Sequence, residues 1–450
     1  MSASSAVVFS RLAEIAGEAN VIRDSAQLAA YRVDGLSPAA AVRPGSPEEV
    51  AEIVKLAARE RLAIVASGAR TKLGIGAPPQ RYDIALDMAR LDRIVACDPR
   101  DLTLGVEAGI PLRKIATALA EHRQFLPLAV PFMDRATAGG TLASGVDSPL
   151  RQFYGTARDF TLGVEFVTGE GIAAKSGGRV VKNVSGYDIH KLMIGSLGTL
   201  AVITRINFRT FPMPRATRTF VATFHGAEAA CAFRHAMAKS ALRPQSLEIL
   251  GAGGDGVRLL GERTGLPFEG DRWSAVVSCA GNEQVLERFR QELEALARTA
   301  AGSSLKSFDE VSGEARNKIN ACVVEFPPLT LEHAPSASIF KITTLPTEMT
   351  ELARTVQSIQ APWVLVMRGL GVAYLALLPA ASLEKECQSI LGRAGTPPWR
   401  HVTLPWCPKA MKNGIDVWGP RSANLALIKK LKDVFDPSGI LSPGRFMGAI

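Results

Sequence analysis

Cysteine is scarce and widely spaced in this sequence. The six cysteines, Cys97, Cys231, Cys279, Cys322, Cys387 and Cys407, come no closer than twenty residues to one another. That spacing excludes a C-x-x-C redox motif, closely spaced metal ligands and a ferredoxin-type iron–sulfur cluster held by this chain alone. Free buried thiols in a reducing cytosol are expected, and no metal site. Basic clusters are also missing. The net charge is +9, yet Lys and Arg never run to five and no aromatics interleave them, so the footprint of a nucleic-acid binder is absent. One long apolar run exists, "PWVLVMRGLGVAYLALLP" at 362–379, but Arg368, Gly369 and Gly371 interrupt it. An arginine at a bilayer centre is costly, so the run reads as two buried strands joined at "RGLG". The opening "MSASSAVVFSRLAEIAGEAN" has neither a basic leader nor an A-x-A context, and a soluble cytoplasmic protein is expected.

What is present is length and glycine. At 450 residues the chain exceeds one compact core, and two domains are the natural prior. The stretch 46–62, "SPEEVAEIVKLAARERL", carries a helix start: Ser46 as cap, Pro47 at the first position, Glu48 and Glu49 at the positive end of the dipole. Val50, Ile53, Val54 and Ala57 form its buried face. A short apolar strand at 63–66 runs into "SGARTKLGIG". Farther on, "TLGVEFVTGEG" and "GIAAKSG" read as a hairpin about Gly169-Glu170-Gly171, and "SGYDIHKLMIGSLG" as a helix ending at Gly195 or Gly198. From about Pro214 the glycine-dense loops give way to alternating helices and strands, which suggests a separate α+β domain.

The loop 67–76 follows a strand directly and offers several backbone N–H groups with little side-chain obstruction. Such a nest suits phosphate oxygens, with Arg70 and Lys72 adding positive charge. It is neither a Walker loop nor a G-x-G-x-x-G fingerprint, and by itself a solvated glycine turn reads the same. A second loop, "PFMDRATAGGTLASG", exposes backbone and hydroxyls at Thr137, Gly139, Gly140 and Ser144. A third carries Asn183 and Tyr187 ahead of another glycine-rich turn. Three such loops fit an extended ligand better than a lone phosphate.

The ordered set "RPGSPEEVAEIVKLA", "SGARTKLGIG", "VEAGIPLRKI", "ATAGGTLASG", "YGTARDFTLGVEFVTGEG" and "KNVSGYDIHKLMIGSLGTLAVIT" resembles FAD-binding oxidoreductases of the vanillyl-alcohol oxidase and p-cresol methylhydroxylase type. The resemblance covers roughly 40–214 and the ending "FDPSGILSPGRF". It implies an α+β architecture: a two-subdomain FAD-binding domain over 1–214, an α+β cap or substrate domain over 215–405, and a segment 406–450 that returns to the FAD domain. It further implies that Ser67, Gly68, Ala69, Arg70, Thr71 and Lys72 cradle the FAD pyrophosphate. Pro131, Thr137, Gly139, Gly140 and Ser144 would line the ribityl and flavin portion, with Arg158, Asn183 and Val202 near the rest of the cofactor and Arg445 beside the flavin. The chain departs from the family loop P-x-G-G-G-T at Ala66, Ala69 and Arg70. Covalent members carry a His or Cys in the first or second loop; this chain has neither there, so non-covalent FAD is expected.

Within the family, "GRVVKNVSGYDIHKLMIGSLGTL" and "DPSGILSPGRF" are most similar to the FAD-binding subunits of bacterial glycolate oxidase. That resemblance implies a second flavoprotein subunit and an iron–sulfur subunit as partners, a small 2-hydroxy acid as substrate, and attachment to the inner face of the membrane only through the partners. The cap signatures G-D-G-N-x-H and E-H-G of related catalytic flavoproteins are absent, and His333 and His401 stand alone. No catalytic base is identified. Arg368 is a candidate carboxylate ligand, or else the end of a hairpin in solvent; Arg445 is a candidate for stabilising anionic reduced flavin. Three functions fit: an FAD subunit of a glycolate oxidase-like complex, a self-sufficient hydroxy-acid or alcohol dehydrogenase, or a non-catalytic electron-relay or structural subunit.

Overall fold

A computed structural model describes residues 3–180, 186–420 and 423–450. Ser46 Oγ accepts a hydrogen bond from the Glu49 amide at 3.2 Å and starts the helix Pro47–Arg59, whose Val50, Ile53, Val54 and Ala57 are buried, as the sequence predicts. This helix is the crossover that parallel strands need. Ala40–Val42 and Ile64–Ser67 both pair in parallel with the strand between them, Ile84–Asp87, and Val21–Ile22 closes the far edge of the sheet. Strand Ile64–Ser67 therefore delivers the chain to the glycine-rich loop at 67–76.

A second sheet has five antiparallel strands in the order Ile94–Asp98, Thr103–Glu107, Ala201–Arg209, Thr161–Thr168, Ala173–Gly177. Its last two strands form the expected hairpin about 169–171. The helix expected over "SGYDIHKLMIGSLG" is much shorter: only His190–Met193 is helical. Left-handed backbone at Gly195, Leu197 and Gly198 breaks it, and the backbone of Gly195 lies directly against that of Gly145.

The third sheet has eight antiparallel strands: Leu305–Val311, Ala216–His225, Arg272–Gly281, Ser246–Gly253, Trp363–Arg368, Val372–Leu377, Ser338–Thr343 and His401–Trp406. The apolar run at 362–379 is the buried hairpin at its centre, and among the described residues no helix is long and apolar enough to cross a membrane. Helices Ala227–Lys239, Glu283–Ala301 and Met349–Gln357 cover one face through Phe233, Leu286, Leu293 and Leu352. The other face carries an apolar cluster that includes Ile75 from the glycine-rich loop. After His401–Trp406 the chain returns to the first two sheets. Ile64 N–H donates to Ile440 O at 2.8 Å and Gly169 N–H to Phe435 O at 2.8 Å. Lys432, buried in the helix Leu425–Phe435, donates to Thr199 O at 2.7 Å and Leu441 O at 2.9 Å and pairs with Asp436 at 2.6 Å.

Candidate active site

The loop after Ile64–Ser67 forms one wall of a cavity of about 470 Å³, lined by Ser67, Gly68, Ala69, Arg70, Thr71 and Lys72 together with Thr137, Gly140, Ser144 and Arg445. Close approach explains the small residues. A Cβ at Gly68 would lie 2.2 Å from Thr137 Oγ1, and one at Gly139 would lie 2.7 Å from Ala108 Cβ. Thr137 Oγ1 accepts from the Gly140 amide at 3.3 Å and caps the helix Ala138–Ser144. A second cavity, of about 430 Å³, shares Ser67, Gly68, Thr137 and Gly140 with the first and extends past Gly139 to Val202. A third, of about 960 Å³, shares Ser144 and extends across Gly145 and Gly195 to the large sheet. The three cavities adjoin through these shared residues, the second reaching Val202 and the third reaching His401, and are called the groove below.

Each charged residue of the loop has a partner that fixes it. Arg70, at φ 61°, adopts the left-handed backbone that glycine favours, which accounts for glycine at the corresponding family position. Lys72 lies 5.7 Å from the Phe132 ring centroid, and burial pushes its pKa down to about 8 while Glu325 opposes that shift. Glu325 itself accepts from the amides of Phe132 at 2.6 Å and Met133 at 2.9 Å, so a residue of the third-sheet half of the chain holds the loop beside Lys72.

The large sheet presents a row of polar side chains to the groove end. Lys341 is opposite Tyr374 on one neighbouring strand and Thr403 on the other. All three line the third cavity, with His401 at its open end and Trp406, Trp418 and Phe446 around them. The strand "SIFKIT" alternates, and its Ile339, Lys341 and Thr343 share one face; a lone lysine on that face was a signal the sequence reading passed over. Burial lowers the Lys341 pKa, and Asp147 opposes the shift. Burial and then the charge of Lys341 lower the pKa of His401. The imidazole is therefore held toward its neutral form.

Arg368 needs correction on both alternatives. It neither ends a hairpin in solvent nor offers a free cation. It is buried, with Nη1 3.2 Å from Glu248 Oε1 and Nε 3.4 Å from Asp147 Oδ2, and it packs 5.4 Å from the Tyr374 ring centroid. Arg445, the candidate for a place beside the flavin, lines the cavity with residues 67–72, and its guanidinium donates to Leu73 O and, at 2.6 Å, to Ile75 O. Arg158 is exposed and donates to Lys191 O at 2.9 Å, away from the groove. Pro131 is buried beside Phe132 and lines none of the three cavities. Asn183 lies outside the described residues. Among the described residues no group of His, Cys, Asp and Glu is placed to hold a metal ion, and all six cysteines are free.

Residues 38–177 match the FAD binding domain family, and 419–446 match the C-terminal domain of FAD linked oxidases. The whole chain superposes on p-cresol methylhydroxylase with a TM-score of 0.76 at 15% identity, covering 99% of this chain and 97% of that one. It superposes on 4-ethylphenol oxidase from Gulosibacter chungangensis with a TM-score of 0.74 at 14% identity, over 99% and 97%. The chain thus carries an FAD binding domain and the C-terminal module of FAD linked oxidases, on the fold of p-cresol methylhydroxylase.

Among curated relatives, glycolate oxidase subunit GlcE of Escherichia coli is 38% identical over 37% of this chain and 47% of its own. GlcD of Bacillus subtilis is 24% identical over 97% of this flavoprotein and 95% of its own length. The D-lactate dehydrogenase of Archaeoglobus fulgidus is 31% identical over 62% of each. The flavoprotein thus spans about half the length of GlcE, and nearly all of GlcD at lower identity. The groove fits FAD on its own geometry too. Ser67 Oγ and Arg445 Nε, of two residues that line it, are buried without a protein hydrogen-bond partner, and buried polar atoms without a partner ask for a ligand.

Proposed function

We propose that the groove holds FAD non-covalently and that the chain oxidises a small 2-hydroxy acid as the FAD-binding subunit of a glycolate oxidase-like complex. Residues 67–72 would take the pyrophosphate. Thr137, Gly139, Gly140 and Ser144 would line the middle of the cofactor, Val202 would lie at its far end, and Pro131 would act through the adjacent Phe132. The observation that carries the substrate reading is that the cavity adjoining the loop cavity at Ser144 is lined by Lys341, Tyr374 and His401. When bound, FAD supplies a two-electron acceptor for the C–H of the alcohol carbon. The chain's own groups supply the rest. The ammonium of Lys341 holds the substrate carboxylate, and neutral His401 accepts the hydroxyl proton as the 2-oxo acid forms. The relatives named as glycolate oxidase subunits and D-lactate dehydrogenases support this class of substrate.

Electrons would leave to a partner, a second flavoprotein with an iron–sulfur subunit, at the inner face of the membrane. The wide spacing of the cysteines supports a partner as the cluster carrier. A self-sufficient dehydrogenase is the second reading, favoured by the cation and the imidazole that one chain already brings to the groove.

Anaerobic stopped-flow mixing of the FAD-loaded chain with glycolate and with D-lactate tests the proposal. Bleaching of the flavin band by either acid, lost in Lys341→Met, is expected. Bound FAD that dithionite reduces and neither acid bleaches would leave the relay reading in its place.

A further inference from the structure

Backbone amides can face an anion only if the carbonyls of the same stretch face elsewhere, and inside a protein those carbonyls need donors. The loop at 67–76 meets this requirement in an uncommon way. Leu73 O and Ile75 O accept from the guanidinium of Arg445, while Gly74 O and Gly76 O accept from Lys412 Nζ at 2.6 Å and 3.0 Å. Four consecutive carbonyls are therefore held alternately by two buried cations, both from the returning C-terminal segment. The Lys412 side chain is 1% exposed and its charge is matched by Asp34 at 2.9 Å. The backbone is stitched in as well: Arg445 O accepts from Ala77 N–H at 3.1 Å and from Trp418 Nε1 at 3.0 Å.

We infer that Lys412 and Arg445 are positioning residues that couple docking of the C-terminal segment to FAD binding. The inference rests on the FAD reading of the groove. The two cations orient the end of the loop so that its preceding amides open toward the cofactor, and they place positive charge behind an anion site. By linkage, a segment that raises the affinity for FAD is itself held more tightly when FAD is present.

The test uses the full chain. Asp34→Asn/Lys412→Met removes the cation without leaving a buried carboxylate unpaired, and FAD binding is read by quenching of flavin fluorescence. A rise in Kd of at least tenfold is expected, with Lys412→Arg restoring affinity to within about threefold because it keeps the charge and the donors. A Kd within twofold of the parent in the double variant would overturn the inference. Limited trypsin digestion of the parent chain decides the matter even if the variant fails to fold. FAD is expected to slow cleavage at Lys429 and Lys430, which are exposed on the C-terminal helix. Equal cleavage rates with and without FAD would sink the coupling. If the parent chain binds no FAD at all, the reading of the groove fails rather than the clamp.

Discussion

Arg70 Nη1 lies 3.0 Å from Asp87 Oδ2, and the guanidinium sits 4.6 Å from the centroid of the Tyr31 ring. Tyr31 in turn donates its hydroxyl proton to the same Asp87 oxygen at 2.6 Å. An arginine thus occupies a left-handed backbone position in the nest, held there by a buried carboxylate and a ring.

Two substitutions separate the strain from the contacts. Arg70→Gly loses the ion pair and the ring contact but relieves the backbone. Arg70→Ala loses the same contacts and keeps the strain, which costs roughly 1 kcal/mol. Thermal melting should therefore place the alanine variant below the glycine variant by about 1 °C. The opposite order would mean that φ at this position relaxes freely.

Glu248 gives a stability prediction with a definite sign. Burial raises its pKa to about 7, while Arg368 acts in the opposite direction. Between the ordinary carboxylate range and that value the folded chain holds a proton that the unfolded chain has lost. Stability therefore falls as pH rises through about 4.5 to 7, and the loss persists above it. Glu248→Gln removes the titrating group and should flatten this dependence. Denaturant melts of both proteins at pH 5 and pH 8 compare the slopes, and parallel slopes would show that Glu248 is ionised in the fold.

The sequence made local features legible and left the distant ones hidden. Ser46, Pro47 and Glu49 announce their helix because the cap lies within four residues. The nest after Ile64–Ser67 shows itself as a strand followed by small residues. The helix expected to end at Gly195 or Gly198 shrinks to His190–Met193 because apolar periodicity continues through a stretch whose backbone turns left-handed at Gly195, Leu197 and Gly198. Glu248, Arg368 and Asp147 meet from two strands and a loop far apart in sequence, so no spacing could pair them. His401 stands alone in the sequence for the same reason: its cross-strand partner Thr343, and the charge of Lys341 that acts on it, come from a strand some sixty residues earlier.

The substrate end of the groove predicts two distinct kinetic signatures. Lys341→Met should lower kcat/KM for a 2-hydroxy acid by about 10²-fold, largely through KM, because a half-buried cation for the carboxylate is lost. His401→Gln should lower kcat by 10²–10⁴-fold, the range of a positioned general base, with little change in KM. With the imidazole pKa lowered, the parent rate should persist as pH falls to 6.5 and decline only below it. A His401 variant with the parent kcat would remove the imidazole from the proton step.

Attachment of the cofactor is tested by acid precipitation. The loops at 67–76 and 131–145 carry neither His nor Cys, so no nucleophile of the kind that tethers flavin lies along the pyrophosphate and ribityl stretch. All flavin should therefore appear in the supernatant. One imidazole does border the groove, His401, and it makes the outcome informative in either direction. Yellow colour that stays with the parent polypeptide and is released from His401→Gln would assign a covalent bond to that ring. His401 would then be a tether and unavailable as the base, and the proton acceptor would have to be sought at Tyr374 or in a partner subunit.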